Sequence, residues 1–123
     1  MSGTEHESDT ICTIAVPVSG GRLSDHFGHC EWFTLFEVDR ANRRIITSRQ
    51  LEPPPHQPGL LPAWLQRQGV NLVIAGGMGQ RALGIFAQQG IQVITGAAPG
   101  HPEAIVCDWL EGRLQQGPNV CEH

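Results

Sequence analysis

The sequence contains no lysine: its eight basic side chains other than histidine are all arginine, against twelve acidic residues and a formal net charge of −4. Neutralisation of phosphates by clustered basic residues supplies most of the affinity of nucleic-acid-binding proteins. The chain has no basic tract, so we do not expect nucleic acid as a partner. The phosphate-binding P-loop is excluded as well, because that motif requires a lysine.

A long apolar segment is also missing. No run approaches the roughly 18 consecutive apolar residues that a membrane-spanning helix needs. Residues 1–10 are polar and acidic and lack the charged and apolar regions of a secretory signal. We therefore expect a cytoplasmic protein without membrane contact, whose cysteines are free thiols or metal ligands. No two of them form a CxxC pair, which excludes thioredoxin-type chemistry and a Cys₄ zinc ribbon. The four are Cys12, Cys30, Cys107 and Cys121.

The patterns that are present predict an α/β fold. Apolar, β-branched and aromatic runs predict five strands, at residues 11–18, 31–38, 43–51, 71–75 and 91–95. Three glycine-bounded helical patterns follow the third, fourth and fifth strands, and the inward faces that they predict are Leu60, Leu61, Trp64 and Leu65, then Ala82, Leu83, Phe86 and Ala87, then Ile105, Val106, Trp109 and Leu110. This order predicts a mixed sheet with a parallel portion and helices on both faces. We expect one domain at residues 11–113, a disordered arm at 1–10 and a short tail at 114–123.

The first candidate site is the sequence DHFGHC at residues 25–30, within a stretch from residue 21 to residue 30 that has no periodicity and is expected to form a loop. Two imidazoles and one thiol fall within five positions, and Gly28 lets the backbone fold tightly between His26 and His29. Nitrogen and sulfur donors of this kind suit zinc, copper or iron–sulfur species. The alternative is a polar loop in which a histidine caps a backbone group and Cys30 is a small core residue.

The second candidate is the Cys-x-His sequence formed by Cys121 and His123 at the end of the chain. Residues two apart in an extended segment project to the same side, so the thiol and the imidazole could face one ion. The alternative is a frayed terminus without partners.

The third candidate is a glycine turn formed by Gly76, Gly77 and Gly79, followed by Arg81, between a predicted strand and a predicted helix. Backbone N–H groups at a helix N-terminus, with an arginine beside them, could hold an anion. The alternative is a turn that needs glycine only for positive φ. A second glycine turn at residues 96–100 ends the next strand, so both turns and the His26 loop could line one crevice at the carboxyl ends of the strands.

Three stretches of the chain carry a family signature: IAVPVSGGRLSDHFGHCEWFTLFEVD, NLVIAGGMGQRAL and GIQVITG. They resemble the dinitrogenase iron–molybdenum cofactor biosynthesis family. This family includes the NifX-type carriers, the C-terminal domain of NifB-type proteins and the small orange-protein group. The resemblance covers residues 11–113.

The resemblance implies a ribonuclease H-like α/β fold with a five-stranded mixed sheet. It also implies binding of iron–molybdenum cofactor precursors or of related molybdenum, iron or copper sulfide clusters. His26, in the HFG motif, would contact the cluster, and Gly76, Gly77 and Gly79 would form the family's glycine turn. The Cys-x-His terminus resembles that of small free-standing members. Nuclease activity is not expected, because the first strand contains no carboxylate for a two-metal site.

These observations leave three hypotheses. The first is a non-catalytic carrier of an anionic metal–sulfide cluster, which exchanges its cargo with a cluster-donor or acceptor protein and holds it by side-chain ligands or by the glycine-turn N–H groups with Arg81 and Arg22. The second is a simple zinc- or copper-binding module. The third is an enzyme or sensor that binds a small phosphate ester at residues 76–81, for which no nucleophile–base pair is evident. The side-chain donors of the first two are His26, His29, Cys30, Cys121 and His123.

Overall fold

The computed structural model of the chain describes residues 10–55 and 59–118. Its strands are β1 (Ile11–Ser19), β2 (Arg22–Leu23), β3 (Trp32–Asp39), β4 (Arg44–Leu51), β5 (Leu72–Ile74) and β6 (Gln92–Ile94). Its helices are α1 (Leu60–Arg67), α2 (Gln80–Gln89) and α3 (Pro102–Leu110). A short 3₁₀ turn, Phe27–His29, lies between β2 and β3.

The six strands form one mixed sheet in the order β4-β3-β1-β5-β6, with β2 paired to the end of β1. β1 is antiparallel to β3 and parallel to β5, and β5 is parallel to β6. The α/β class, the mixed sheet with a parallel portion and the helices on both faces are confirmed. The ribonuclease H-like label stays a prediction.

The predicted count of five strands is wrong, because residues 21–30 form more than a loop. Gly20 and Gly21 have φ values of 62° and 78°. Two successive left-handed residues make the tight turn that reverses a chain between antiparallel strands. The next two residues then pair with the end of β1 as β2. A strand of two residues has no hydrophobic period, so the sequence pattern does not reveal it.

The core lies on both faces of β1, the central strand. On one face Ile14 packs in a cluster with Ile105 of α3. On the other face Ala15 packs in a cluster with Leu65 of α1 and Phe86 of α2. A strand covered on both sides reads as a continuous apolar run, which is the pattern that residues 11–18 show. Because β1 is packed on both faces, its carboxyl end is held in a fixed position.

The helix α2 buries a narrower face than the sequence predicts. In α2 Phe86 is fully buried, Ala82 and Leu83 are half-buried and Ala87 is exposed. Successive helical residues turn by about 100°, so Ala87 falls beyond the stripe that faces the sheet. The prediction that Ala87 packs inward is therefore wrong. No helix within residues 10–55 and 59–118 is long and apolar enough to span a bilayer.

Candidate functional site

The first glycine turn follows the carboxyl end of β5 and leads into α2. Gly76 lies directly under the loop that follows β2: a Cβ placed on it would be 3.3 Å from the carbonyl oxygen of Ser24 and 3.7 Å from Cα of Asp25. The N–H of Phe27 donates to the carbonyl of Gly77 at 3.0 Å. The loop that carries His26 therefore rests on the glycine turn.

Ser24 and Phe27 determine the shape of this loop. The Ser24 hydroxyl donates to the carbonyl of His26 at 3.0 Å and accepts from the N–H of His26 at 3.3 Å. Phe27 is buried between two rings, Phe33 and Phe86, each with its centroid 5.5 Å away in an edge-to-face arrangement. With Phe27 held in the core, the side chains of His26 and His29 remain on the exposed side. The positioning role of Ser24 was not predicted, although a serine two residues before the histidine is a local turn signal.

The second glycine turn lies against both of these segments. The N–H of Gly96 donates to the carbonyl of Gly76 at 2.9 Å, and the N–H of Leu23 donates to the carbonyl of Gly100 at 2.9 Å. Backbone hydrogen bonds thus join the His26 loop and the two glycine turns at the carboxyl end of the sheet. We call these three segments, residues 23–30, 76–81 and 96–100, the strand-end rim.

The two glycine turns need glycine for different reasons. Gly79 has a φ of −70°, and neither Gly76 nor Gly77 has positive φ. The interpretation that the first turn requires positive φ is therefore wrong. At Gly76 the requirement is the close approach of the loop backbone, which would meet a side chain. Positive φ occurs in the second turn instead, at Gly96, where it is 76°.

The side-chain donors of the rim do not form a metal cage by themselves. The rings of His26 and His29 are 6.3 Å apart between centroids. Burial raises the pKa of the Cys30 thiol to about 11, so it is protonated at neutral pH. Within residues 10–55 and 59–118 no three His, Cys, Asp or Glu side chains converge on a point where they could hold a metal ion. Cys121 and His123 lie outside the described residues, so the five-donor set stays a prediction.

The backbone at the start of α2 is the better anion site. Gly79 is the N-cap of this ten-residue helix and supplies no side-chain cap, and no acidic residue lies in the first turn. Arg81 is exposed in that turn. Among the described residues, the N–H groups of Gly77 and Gly79 have no hydrogen-bond acceptor. Free N–H groups, the helix dipole and a guanidinium together favour a negatively charged ligand.

A C-terminal segment also reaches the rim, which the sequence analysis did not predict. The N–H of Gly117 donates to the carbonyl of Gly96 at 2.6 Å, and the side chain of Gln116 donates to the carbonyl of Thr95 at 3.0 Å. Ala97 and Gln116 form an isolated antiparallel bridge. Gln116 and Gly117 therefore lie against the second glycine turn. Apart from Gly117, the sequence contains no signal for this pairing.

Comparison with known proteins agrees with the resemblance seen in the sequence. The chain is 35% identical over 110 residues to MJ0580, an uncharacterized protein of Methanocaldococcus jannaschii, covering 86% of this chain and 92% of that protein. Its fold is similar to the crystal structure of PH0822, with a TM-score of 0.80, 24% identity and coverage of 88% and 96%. It is also similar to the apo form of the orange protein from Desulfovibrio gigas, with a TM-score of 0.66, 21% identity and coverage of 87% and 93%.

These two structural likenesses, at under 25% identity, establish the fold alone. The family assignment rests on the sequence of the chain itself. Residues 10–112, which include the whole strand-end rim, match the family described as dinitrogenase iron-molybdenum cofactor. The chain therefore belongs to the dinitrogenase iron–molybdenum cofactor family.

Proposed function

We propose that the protein is a non-catalytic carrier of an anionic metal–sulfide cluster, an iron–molybdenum cofactor precursor or a related molybdenum, iron or copper sulfide, bound at the strand-end rim. Membership of a family named for the iron–molybdenum cofactor supports this class of cargo. A cluster-donor or acceptor protein is the partner that a carrier requires. The ribonuclease H-like label and the cytoplasmic location are part of this proposal.

The observation that carries the proposal is the uncapped N-terminus of α2 beneath the His26 loop. A preassembled sulfide cluster bears negative charge on its surface sulfurs, and backbone N–H groups with a guanidinium can hold such atoms without ligating the metal. Gly77, Gly79 and Arg81 provide these groups, and Gly76 lets the backbone of the His26 loop approach the turn closely. Gly28 lies in the 3₁₀ turn of that loop. This mode suits a carrier, because hydrogen bonds release an intact cluster more readily than metal–thiolate bonds do.

Side chains would add ligands at the edge of the same site. His26 and His29 are exposed and can offer imidazole nitrogens, whereas Cys30 would have to lose its proton to the metal first. The chain from Pro118, beside the second glycine turn, to Cys121 spans at most about 10 Å, so covalent geometry allows Cys121 and His123 to contribute.

The absence of catalysis is also part of the proposal. Ser24 is the hydroxyl nearest to His26 in the loop sequence, and its hydrogen bonds join it to the backbone of His26 rather than to the imidazole. A hydroxyl held in this way lacks the adjacent general base that a nucleophile needs. Ser24 and His26 therefore do not form a nucleophile–base pair.

The test is anaerobic reconstitution of the full chain. Tetrathiomolybdate with copper(I), or an iron–sulfide precursor, is added, and metal and acid-labile sulfide are measured after gel filtration. We expect a coloured protein that carries both metal and sulfide. Arg81→Glu should reduce loading about tenfold through charge reversal at the helix N-terminus. The matched control is Arg67→Glu, which changes another exposed arginine at the far end of α1 and should load normally.

The remaining outcomes separate the alternatives. One tightly bound zinc or copper ion per chain without sulfide would replace the proposal with a simple metal-binding module. Binding of inorganic phosphate that is lost in Gly79→Asp but retained in His26→Ala would favour a phosphate site. A folded protein that stays colourless and free of sulfide with every precursor would refute cluster carriage.

A further inference from the structure

The two edges of the sheet differ in how they are covered. β6 has three residues, and the chain just beyond it is paired at Ala97 with Gln116. β4 has eight residues and pairs with β3 on one side, while no described segment pairs with its other side. Its residues are exposed except for the half-buried Ile45 and Leu51. An edge strand of this length presents unpaired N–H and C=O groups that can pair with another strand.

A β-bulge divides this edge into two parts. Val38 of β3 pairs with Ile45 and Glu37 pairs with Thr47, so Ile46 is the extra residue. Ile46 is 48% exposed, the one large hydrophobic side chain with such exposure among the described residues. Beyond the bulge, Thr47–Leu51 is a regular run opposite β3, about 16 Å long at the rise of a β-strand. The edge thus offers a straight segment with an apolar contact at one end.

The same edge is basic in a chain that is acidic as a whole. Four of the eight arginines, at positions 40, 43, 44 and 49, lie on β4 or in the turn before it. Arg43 lies 3.8 Å from Glu111, and Arg40 stacks 5.6 Å from the centre of the Trp109 ring. Arg44 and Arg49 make no ion pair within the part of the chain that the structure describes. Two guanidinium groups are therefore available beside a free strand edge.

The charges decide which occupant fits. If a second copy of the chain paired its run Thr47–Leu51 with this one about their common centre, Arg49 would face Arg49. Like charges directly opposite each other destabilise a strand pair, so this register is disfavoured. A strand with carboxylates at alternate positions would instead place opposite charges beside Arg49 and Arg44. In this central register, charge complementarity therefore favours an acidic partner strand over a second copy.

We propose that β4 docks an extended, acidic segment of a partner protein, which adds to the sheet as a further antiparallel strand. Main-chain hydrogen bonds to Thr47–Leu51 would supply affinity, and carboxylates beside Arg44 and Arg49 would supply register and specificity. An apolar side chain of the segment would cover Ile46. Two strands, β3 and β1, separate β4 from β5, which leads into the first glycine turn.

The test is titration of the full chain with a synthetic peptide in which glutamate alternates with valine. Binding is monitored at low salt by the NMR chemical shifts of the chain's backbone amides. We expect shifts concentrated at residues 44–51 and an affinity that falls as salt is added. The double variant Arg44→Glu with Arg49→Glu should bind at least about tenfold more weakly and should bind the lysine version of the peptide instead. Arg67→Glu, with a reversed charge on α1, should bind as the original chain does.

Several results would overturn the proposal. These are no shift at millimolar peptide, shifts away from β4, or equal binding by the double variant and by Arg67→Glu. A dimer in sedimentation that the double variant dissolves would make the occupant a second copy. Binding that begins only after deletion of residues 1–9, which include Glu5, Glu7 and Asp9, would make the occupant the chain's own N-terminal segment.

Discussion

Replacement of Gly96 by alanine tests whether the C-terminal segment is attached at the rim. Gly96 has a φ of 76°, and a Cβ there would overlap the carbonyl oxygen of Gly117. Gly112 is the matched control: its φ is 75°, and a Cβ there would have no atom within 4 Å. Both variants suffer the backbone strain of an alanine with positive φ. Only Gly96→Ala must also displace the segment at residues 116–118.

The structure gives the size of the difference. A left-handed backbone costs a non-glycine residue about 1–2 kcal/mol, which is the whole effect expected for Gly112→Ala. Displacement of the segment also breaks two hydrogen bonds, from the Gly117 N–H and from the Gln116 side chain. Each is worth about 0.5–1.5 kcal/mol net, so Gly96→Ala should lose about 1–3 kcal/mol more than the control.

The assay is urea unfolding of both variants, with amide exchange of Gly117 as a local readout. A chain truncated after residue 115 is a further control. It lacks the segment at residues 116–118, so Gly96→Ala and Gly112→Ala should lower its free energy of unfolding equally. Gly117 exchange should accelerate in Gly96→Ala and stay slow in Gly112→Ala. Equal losses of stability in the two full-length variants would refute the attachment of the C-terminal segment.

Phe27, Asp39 and two cysteine thiols give three further predictions. Phe27→Ala should lower the free energy of unfolding by about 3–5 kcal/mol in urea titration, because it empties a site between two aromatic rings; a loss below 1 kcal/mol would contradict the anchoring role. Hydrogen bonds, first from the Asn42 side chain, lower the pKa of Asp39, so this carboxylate stabilises the fold above its unfolded-state pKa, and the contribution disappears as pH falls through the folded-state value. The free energy of unfolding should therefore fall less steeply at acid pH in Asp39→Asn, as urea unfolding at several pH values can measure. An unchanged pH dependence would refute the stabilising role of the Asp39 carboxylate. Iodoacetamide at neutral pH should label the exposed Cys107 well before the half-buried Cys30, because burial raises the pKa of the Cys30 thiol to about 11, and peptide mapping can measure both rates; equal rates would contradict the raised pKa.

The sequence predicts those parts of the fold that depend on long local patterns. The apolar run at residues 11–18 identifies the doubly covered β1, and the run at residues 43–51 predicts β4. Gly90 ends α2 with a φ of 77°, as expected for a helix terminated by glycine. The sequence does not predict β2, because a strand of two residues has no hydrophobic period. It predicts that Ala87 packs inward, because a helical pattern does not give the width of the buried stripe.

The sequence predicts which residues lie in the candidate site better than it predicts how they are arranged. The residues around His26 and Gly76 were selected because of their chemistry, and they do lie side by side. The reason for glycine at position 76 is contact with a loop fifty residues earlier in the chain, which no local pattern contains. The raised pKa of Cys30 depends on burial in the same way. Tertiary contacts, which a single sequence does not display, decide both.

The two chain connections that leave β5 and β6 have a consequence for where the glycine turns meet. From β5 the chain turns to α2 on one side of the sheet, and from β6 it turns to α3 on the opposite side. Neighbouring connections that part in this way bring the two glycine turns together at one place, where the N–H of Gly96 donates to the carbonyl of Gly76. The winding of the chain therefore sets where the two turns meet. Changes in the loop side chains can alter the chemistry of that place without moving it.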